Sequence, residues 1–307
     1  MADARCPVCG DRDCAPSIFG GTRYGGQRYT LMRCRTCGMR FVDPRPSPEQ
    51  ILAFYTDAEY FEHYRAPGAD AQGYLASCDR PNDHDDATLA ALGRVRTGGR
   101  LLDIGAAGGR FLCRAREAGY TVRGLEPNPQ MAAYARDRLG LDVPTATLDD
   151  VETVFPGLRF DIVHLGDVLE HLRDLDVALS RVNTVLAPDG VLVLQQPLTY
   201  NASLYNAFLA LNMWLKTDRY ASFPPWHLWE FTPASLRRFL TDRGFVVRHF
   251  ATFEAPLPAD ESADHRLKRR VGSLVKRASA VVSRAANGVG LELGDRGLVV
   301  CVREGAR

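Results

Sequence analysis

The sequence predicts an α/β protein with a doubly wound parallel sheet, preceded by a small metal-stabilised segment. From about residue 100, short aliphatic runs alternate with stretches of helical periodicity, as in RLLDIG followed by RFLCRAREAG. This alternation is typical of parallel strands joined by crossover helices. Two Cys-x-x-Cys-Gly motifs near the N-terminus predict the separate metal-binding segment.

Size, charge and hydropathy exclude several classes of protein. The 307 residues suffice for one large domain with an appendage or for two domains, and the net charge of +1 gives no general attraction to nucleic acid. No apolar run reaches the roughly 18 residues of a membrane span, and MADARCPVCG lacks the apolar core of a signal peptide. We therefore expect a cytoplasmic protein whose eight cysteines are not disulfide-bonded.

The N-terminal cysteines predict a structural zinc site. Cys6 and Cys9 form one motif, Cys34 and Cys37 the other, and 24 residues separate the two. Two residues between paired thiolates let both reach one ion, and the glycine after each pair permits a tight turn. Four sulfur ligands close a tetrahedral site, so the metal would stabilise the fold without an open position for chemistry. Cys14 is an alternative ligand, but Cys37 completes the set more naturally.

Three landmarks lie where the strands of the predicted sheet end, the edge at which such folds bind ligands. A glycine-rich turn, Gly105 to Gly109, follows the first strand and its acid Asp103. Glu126 ends the second strand, 17 residues beyond Gly109, and GDVLEH follows the fourth. An acid at the place of Glu126 suits the two hydroxyls of a ribose. The turn is not the G-x-G-x-x-G of a pyrophosphate binder, which favours an adenosine ligand without phosphates.

With these landmarks in place, the sequence resembles class I S-adenosylmethionine-dependent methyltransferases. The matching segments, in the family's order over residues 100 to 250, are LLDIGAAGGRFL, LEPNP, ATLDDV, FDIVHLGDVLEHLRD, LAPDGVLVLQQP and FTPASLRRFLTDRGF. The resemblance implies a Rossmann-like sheet of seven strands with the last one antiparallel. The family's turn is usually D-x-G-x-G-x-G, and Ala107 replaces its middle glycine.

The same resemblance implies which residues hold S-adenosylmethionine. Asp103 would orient the turn and the amino group of the methionine moiety, Glu126 would hold the ribose, and Gly166 would face the sulfonium. The full implied set is Asp103, Gly105, Ala106, Gly109, Glu126, Leu148, Asp149 and Gly166. In this set Leu148 and Asp149 would meet the adenine edge.

Two histidines are candidates for catalysis. A sulfonium methyl is already activated, but a hydroxyl acceptor needs a base because its pKa lies far above 7. His227, in FPPWHLWEFTP, precedes a helix with Thr232 as predicted N-cap, and the family often places a histidine there; packing between tryptophans is the alternative. His171, in VLEHL, is either a structural contact or, as in some family members acting on quinol-like acceptors, part of a Glu-His pair that binds a divalent ion.

The predicted organisation has three parts. Residues 1–45 form the zinc ribbon, 46–98 a helical connector, and 99–307 the methyltransferase domain. The last part carries an aromatic insert at 200–230, interpreted as a substrate lid or as ordinary core, and a second insert at 252–295.

The second insert contains a basic amphipathic helix over residues 266–284, with seven basic residues and no acidic one. One apolar face is predicted from Leu267, Val271, Leu274, Val275, Ala278 and Val282. Such a helix binds anionic lipid, forms a solvated face, or clamps a substrate diphosphate, and the sequence leaves all three open.

The function predicted from the resemblance is O-methylation of a sugar hydroxyl on a nucleotide sugar, a glycan or a lipid-linked glycan. It is favoured because the zinc segment and FVDPRPSPEQILAFY also resemble a bacterial subgroup that acts on such substrates. The alternatives are O- or N-methylation of a small natural product such as a phenol or a polyketide, RNA methylation through the ribbon arginines, and an adenosine-binding scaffold without activity. The near-zero net charge argues against nucleic acid as a partner. The partner expected is thus a small-molecule or glycan substrate; a membrane surface at 266–284 is one of the three alternatives left open for that helix, and the oligomeric state is not predicted.

Overall fold

The computed structural model describes residues 5–56, 83–255 and 266–305. The predicted connector between residues 57 and 82, the part of the second insert between 256 and 265, and the side chain of Leu267 lie outside the described residues. The described strands are β1 (Cys14–Tyr24), β2 (Gln27–Cys34), β3 (Arg40–Asp43), β4 (Arg100–Ile104), β5 (Thr121–Leu125), β6 (Phe160–Gly166), β7 (Leu186–Pro197), β8 (Tyr220–Ala221), β9 (Trp229–Glu230), β10 (Phe245–Phe253) and β11 (Arg296–Arg303). The described helices are α1 (Pro48–Thr56), α2 (Asp83–Gly93), α3 (Arg110–Glu117), α4 (Pro129–Leu139), α5 (Val151–Val154), α6 (Leu175–Val185), α7 (Leu204–Trp214), α8 (Pro233–Thr241) and α9 (Arg266–Asn287).

The chain divides into two compact units, and each is discontinuous in sequence. The first comprises Met1–Phe54, Gln196–Arg243 and Ala251–Gly297, and the second comprises Tyr55–Gln195, Gly244–Phe250 and Leu298–Arg307. The first unit therefore groups the N-terminal segment with most of both predicted inserts. Its ranges do not follow the linear boundaries that the sequence predicts at residues 45 and 98.

The second unit is built on the α/β sheet that the sequence predicts. The strand order is β10-β11-β7-β6-β4-β5, and the pairs β4–β5, β4–β6 and β6–β7 are parallel. The middle strands are aliphatic on both faces because helices cover both sides of such a sheet. Their fully buried side chains include Leu101, Leu102, Ile162, Val163, Leu192, Val193 and Leu194. Short aliphatic runs thus place the ends of β4, β5 and β6 side by side.

The expectation of seven strands is wrong for the part of the chain that the structure describes, where this sheet has six. Beside β5, where a seventh strand would pair, the segment after α4 forms only an isolated parallel bridge between Glu126 and Thr145. Pro144 lies in the middle of this segment and has no amide hydrogen to donate to a ladder. Its carbonyl still accepts from the Glu126 amide at 3.3 Å, so the segment follows the sheet edge without becoming a strand.

The first unit has its own sheet, in the order β8-β1-β2-β3-β9. β1 and β2 are antiparallel, and the turn between Tyr24 and Gln27 consists of Gly25 and Gly26, both at positive φ. The residues between the two cysteine pairs therefore form a β-hairpin with a two-glycine turn. The two short strands β8 and β9 come from the aromatic insert and pair with β1 and β3.

Helix boundaries follow capping signals that the sequence carries. α8 begins after Thr232, whose side-chain oxygen accepts from the Ser235 amide at 3.1 Å, and Pro233 occupies the first turn. α7 begins after Ser203, which caps it in the same way through the Asn206 amide. The start of α8 confirms the predicted Thr232 N-cap. Of the helices within the described ranges, none is long and apolar enough to cross a bilayer.

Candidate functional site

The predicted cofactor turn follows β4 in the second unit. At two of its glycines, a side chain would clash with a neighbouring residue. Gly105 has a φ of +73°, and a Cβ atom there would lie 2.6 Å from Cγ2 of Val168. Gly109 precedes α3 at a φ of +86°, and its Cβ would lie 2.5 Å from Cδ1 of Leu141. Both positions therefore need the conformational freedom and the small size of glycine.

Ala107 occupies the middle position of the turn with a φ of +48°, in the left-handed region. This explains why a glycine is usual there, because a Cβ atom is disfavoured in that conformation. The conformation aims the Ala107 amide at Oε2 of Glu126, at 2.8 Å. The Ala106 amide bonds instead to the Leu125 carbonyl at 2.9 Å, so the turn is fastened to the end of β5.

Glu126 is buried, and both of its carboxylate oxygens are oriented by backbone amides. Oε1 accepts from the Asn128 amide at 2.8 Å, while Oε2 accepts from Ala107. Burial raises the pKa of the Glu126 carboxyl to about 7. Each oxygen keeps a lone pair for a further hydrogen bond, which fits the predicted contact with two ribose hydroxyls.

Asp103 contacts a histidine that the sequence argument passed over. Its carboxylate accepts from Nδ1 of His164 at 2.7 Å, and the two residues are register partners on β4 and β6. Burial raises the pKa of Asp103, and the nearby His164 partly offsets the shift. The ring of His164 also explains Gly166, because a Cβ at that glycine would lie 2.8 Å from Cε1 of His164. The sequence signal that could have identified this pair is a histidine within a buried strand, next to a strand that carries an acid.

The predicted adenine-side residues lie in a short 3₁₀ turn, Leu148–Asp150, before α5. Leu148 is buried, whereas the Asp149 side chain is exposed and faces Arg181 at 4.0 Å. The neighbouring Asp150 closes the turn by accepting from the Thr147 amide at 2.9 Å. Leu148 thus offers an apolar surface, and Asp149 keeps free lone pairs for an exocyclic amine.

A second residue with unusual backbone geometry lies at the end of β6. Among the described residues, Ala107 and Asp167 are the two non-glycine residues at positive φ. Both follow strands of the second unit at the edge where ligands bind in doubly wound sheets. Unfavourable backbone geometry is concentrated at functional sites, so the pair supports the predicted place of the cofactor. The sequence argument did not single out Asp167.

In the first unit, the four predicted cysteines come together. All four Sγ atoms lie within 4.8 Å of one another, with Cys6–Cys37 at 3.4 Å and Cys9–Cys34 at 3.6 Å. Tetrahedral zinc with Zn–S bonds of about 2.3 Å separates its sulfurs by about 3.8 Å, so the arrangement fits this metal. The hydrogen bond with Cys37 lowers the pKa of the Cys6 thiol to about 5.

The two knuckles of the cysteine cluster have the same backbone geometry. The Gly10 amide donates to the Cys6 carbonyl at 2.9 Å, and the Gly38 amide donates to the Cys34 carbonyl at 3.1 Å. Both glycines have positive φ, as the sequence argument requires. Burial raises the pKa of Cys14, the alternative ligand, to about 12, which keeps its thiol protonated. Cys14 is also absent from the cluster.

The two candidate catalytic histidines differ in their surroundings. His227, in the first unit, is hydrogen-bonded through Nδ1 to the buried carboxylate of Glu230 at 3.1 Å. Glu230 pairs across strands with the buried Arg40. His171, in the second unit, ends a 3₁₀ turn, and its Nε2 lies 3.6 Å from Oε1 of the buried Glu170. The sequence argument did not identify Glu230 or Arg40 as partners.

Comparisons with known proteins identify a methyltransferase domain in this chain. The family model described as "Methyltransferase domain" matches residues 76–249. A ubiquinone biosynthesis O-methyltransferase from Bradyrhizobium diazoefficiens is 29% identical over 190 residues, which cover 57% of this chain and 68% of the relative. One from Rhodopseudomonas palustris is 28% identical over 164 residues, covering 49% of this chain and 60% of the relative. A solved S-adenosylmethionine-dependent methyltransferase from Archaeoglobus fulgidus is 16% identical, with a TM-score of 0.49 over 76% of this chain and 100% of that one.

The family match spans the glycine turn, Glu126 and the end of β6, where the structure places the predicted cofactor residues. It also covers more than half of the chain. The protein therefore belongs to the methyltransferase-domain family and is an S-adenosylmethionine-dependent methyltransferase.

Proposed function

We propose that the protein transfers the methyl group to a hydroxyl oxygen and that His227 takes up the hydroxyl proton. The observation that carries this is the His227–Glu230 hydrogen bond of 3.1 Å. A carboxylate at Nδ1 holds the ring proton there, so that Nε2 presents its lone pair. In the proposed step a carbon–oxygen bond forms and the carbon–sulfur bond breaks, leaving S-adenosylhomocysteine, while the proton passes to Nε2.

His171 is the alternative base. Its Nε2 lies 3.6 Å from the Glu170 carboxylate, beyond ordinary hydrogen-bond length. At this distance the Glu170 carboxylate does not fix the ring tautomer of His171 as firmly as Glu230 fixes that of His227 at 3.1 Å. The geometry of the two pairs therefore favours His227.

The first candidate acceptor is a sugar hydroxyl on a nucleotide sugar, a glycan or a lipid-linked glycan. Its support is the resemblance of the cysteine segment and FVDPRPSPEQILAFY to enzymes that act on such substrates. The aromatic insert, with Trp226 and Trp229, adds side chains of the kind that stack on sugar C–H groups.

The second candidate is an aromatic hydroxyl, and the comparisons favour it. Several relatives named ubiquinone biosynthesis O-methyltransferase are 27–29% identical over about half of this chain. A phenol has a pKa near 10, so a histidine base abstracts its proton more readily than that of a sugar alcohol.

Transfer of isotopically labelled methyl from S-adenosylmethionine tests both candidates. Purified protein is incubated with separate fractions of a bacterial extract: nucleotide sugars, lipid-linked material, small aromatic compounds and RNA. Labelled O-methyl sugars after acid hydrolysis support the first candidate, and a labelled methoxyaromatic product supports the second. Label in RNA, or on nitrogen or carbon, contradicts hydroxyl methylation.

We also propose that Cys6, Cys9, Cys34 and Cys37 hold a structural zinc ion. Four thiolates complete the coordination sphere and leave no position for a water or substrate. Metal binding would add to the folding free energy of the cysteine segment.

A further inference from the structure

Two helices of the first unit, α7 and α9, expose apolar side chains. On α7, Leu211 is 58% exposed and Trp214 is 67% exposed. On α9, Leu274 is 65% exposed and Val281 is 68% exposed. The other exposed large apolar residues on or directly after these helices are Leu204, Leu215, Val271 and Val282. These eight residues are called the α7–α9 face below.

The buried side of α9 is polar, which reverses the usual arrangement of an amphipathic helix. Lys276 is buried and contacts two carboxylates, those of Glu254 at 2.5 Å and of Asp295. Ser279 and Ser283, one and two turns further along the helix, are also buried and donate to the other oxygen of Glu254. Three polar side chains therefore hold the helix, and its apolar stripe is left outside.

α7 is held beside α9 by polar contacts as well. The buried Asn206 donates to the Asn201 carbonyl at 2.6 Å, and the Tyr205 amide donates to Oγ of Ser279 at 3.2 Å. The ammonium of Lys276 lies 4.5 Å from the centre of the Tyr205 ring. The two helices are thus joined by polar contacts, and among the described residues the side chains of the α7–α9 face stay exposed.

The charges of α7 and α9 indicate what kind of partner covers the α7–α9 face. The segments 204–217 and 266–287 contain no aspartate or glutamate, and Arg277 and Arg284 are exposed on α9. A second copy of the chain would bring these cations against each other. A substrate diphosphate would need a convergent cation, but Lys276 already pairs with the carboxylates of Glu254 and Asp295.

We propose that the α7–α9 face is a membrane-binding surface that lies on an anionic lipid bilayer. Its leucine, valine and tryptophan side chains enter the boundary between headgroups and acyl chains, and the arginines meet the lipid phosphates. Apolar insertion supplies the part of the affinity that resists salt, and the arginines supply the part that salt screens. The proposal stands independently of the acceptor, because it concerns only where the protein resides.

Vesicle flotation tests the proposal with the full-length protein. The probes are vesicles of phosphatidylcholine alone and vesicles in which about a third of the lipid is phosphatidylglycerol. We expect the wild-type chain to float with the anionic vesicles and to bind neutral vesicles about tenfold or more weakly, since each basic residue near such a surface contributes to affinity. Binding that is equal on both vesicle types, or absent from the anionic ones, overturns the proposal.

Substitutions assign the binding to particular side chains. Leu274→Glu with Val281→Glu places charges at exposed positions, where folding is unaffected, and should lower vesicle binding at least about tenfold. Arg277→Gln with Arg284→Gln should weaken binding to anionic vesicles and leave the residual neutral-vesicle binding unchanged. Val177→Glu is the matched control, an exposed valine on α6 outside this face, and should float like the wild type.

Sedimentation of the same variants in the absence of lipid tests whether a second copy of the chain, rather than a membrane, covers the α7–α9 face. If the wild-type chain forms a dimer that Leu274→Glu with Val281→Glu dissociates, the face is an interface between copies and the membrane proposal fails. Flotation of that double variant at the wild-type level also contradicts the proposal. A monomer whose flotation depends on the four substituted residues supports it.

Discussion

The carboxylate of Asp103 accepts a hydrogen bond of 2.7 Å from Nδ1 of His164, joining β4 to β6 inside the second unit. Both side chains are buried, and the imidazole lies against the ring of Phe111 with 3.9 Å between ring centres. Nε2 of His164 makes no hydrogen bond to any described residue. The pair therefore stiffens the sheet directly below Gly166, where the resemblance places the sulfonium.

A double-mutant cycle at Asp103 and His164 should show strong coupling. His164→Ala removes the partner of a buried acid and should destabilise the protein by about 3 kcal/mol. In the cycle with Asp103→Ala we expect a coupling of about 1–3 kcal/mol, measured by urea unfolding. His249→Ala, at a half-buried histidine, is the control and should have a small effect. A coupling below about 0.5 kcal/mol would show that the hydrogen bond does not stabilise the fold.

Replacing Ala107 by glycine should not harm the cofactor turn. The left-handed φ of +48° penalises alanine, so Ala107→Gly should raise the free energy of unfolding by about 1 kcal/mol and preserve cofactor affinity. Ala118→Gly is the comparison, because its φ of −78° suits alanine and glycine should cost about 0.5–1 kcal/mol there. Thermal unfolding and calorimetric titration with S-adenosylmethionine measure both. Equal destabilisation by the two substitutions would contradict the conformational argument.

Cofactor affinity should depend on the ionisation of Glu126. The pKa of its carboxyl is raised to about 7, and the ionised form is the better acceptor for ribose hydroxyls. We expect affinity for S-adenosylmethionine to rise as pH increases from 6 to 8. Glu126→Gln should lower the affinity about tenfold at pH 8 and flatten the pH profile. Unchanged binding in this variant would remove Glu126 from the ribose site.

The Glu126 carboxyl should also make the stability of the cofactor-free protein depend on pH, but here stability should fall as pH rises. A carboxyl whose pKa is higher in the folded state than in the unfolded state binds its proton more tightly when folded. Its contribution to stability is complete below the unfolded pKa of about 4.5 and is lost as pH rises through about 7. The stability of the wild type relative to Glu126→Gln should therefore fall between pH 5 and pH 8. A difference that rises with pH would contradict the upward shift of the pKa.

Removing the metal should affect the two units differently. We expect the purified chain to contain about one zinc ion, and Cys37→Ser to lose it because a tetrahedral site needs all four sulfurs. Cys14→Ser, outside the cluster, should retain it. Chelation should make the N-terminal segment sensitive to protease while the second unit still binds S-adenosylmethionine. Simultaneous loss of cofactor binding would show that the two units do not fold independently.

Substitution of the two histidines should separate a base from a structural residue. His227→Gln should lower turnover about 10²-fold or more and remove the titration of kcat near the pKa of histidine, with little change in cofactor affinity. His171→Gln should leave that titration in place. Should His171→Gln instead abolish the titration and His227→Gln preserve it, the base is His171.

Much of the fold and of the site followed from local sequence signals. The alternation around LLDIGAAGGRFL placed β4 and α3, because strand and helix periodicities are properties of short segments. The spacing of the paired cysteines was enough to predict the cysteine cluster. The loss of a seventh strand beside β5 could be predicted only in part. Pro144 lacks one hydrogen-bond donor, but the extent of pairing depends on Glu126 and its neighbours.

The sequence by itself determined the strand–turn–helix unit of β4 and α3, where the cofactor turn lies, which cysteines gather, and that α9 has one apolar face. Only the tertiary structure decided that Asp103 meets His164 and that β8 and β9 join the sheet of the first unit. It also decided that the polar face of α9 is the buried one. The physical reason is the carboxylate of Glu254, which is fully buried and needs a cation and hydroxyl donors. That need arises from residues brought together by folding, and no periodicity within residues 266–287 encodes it.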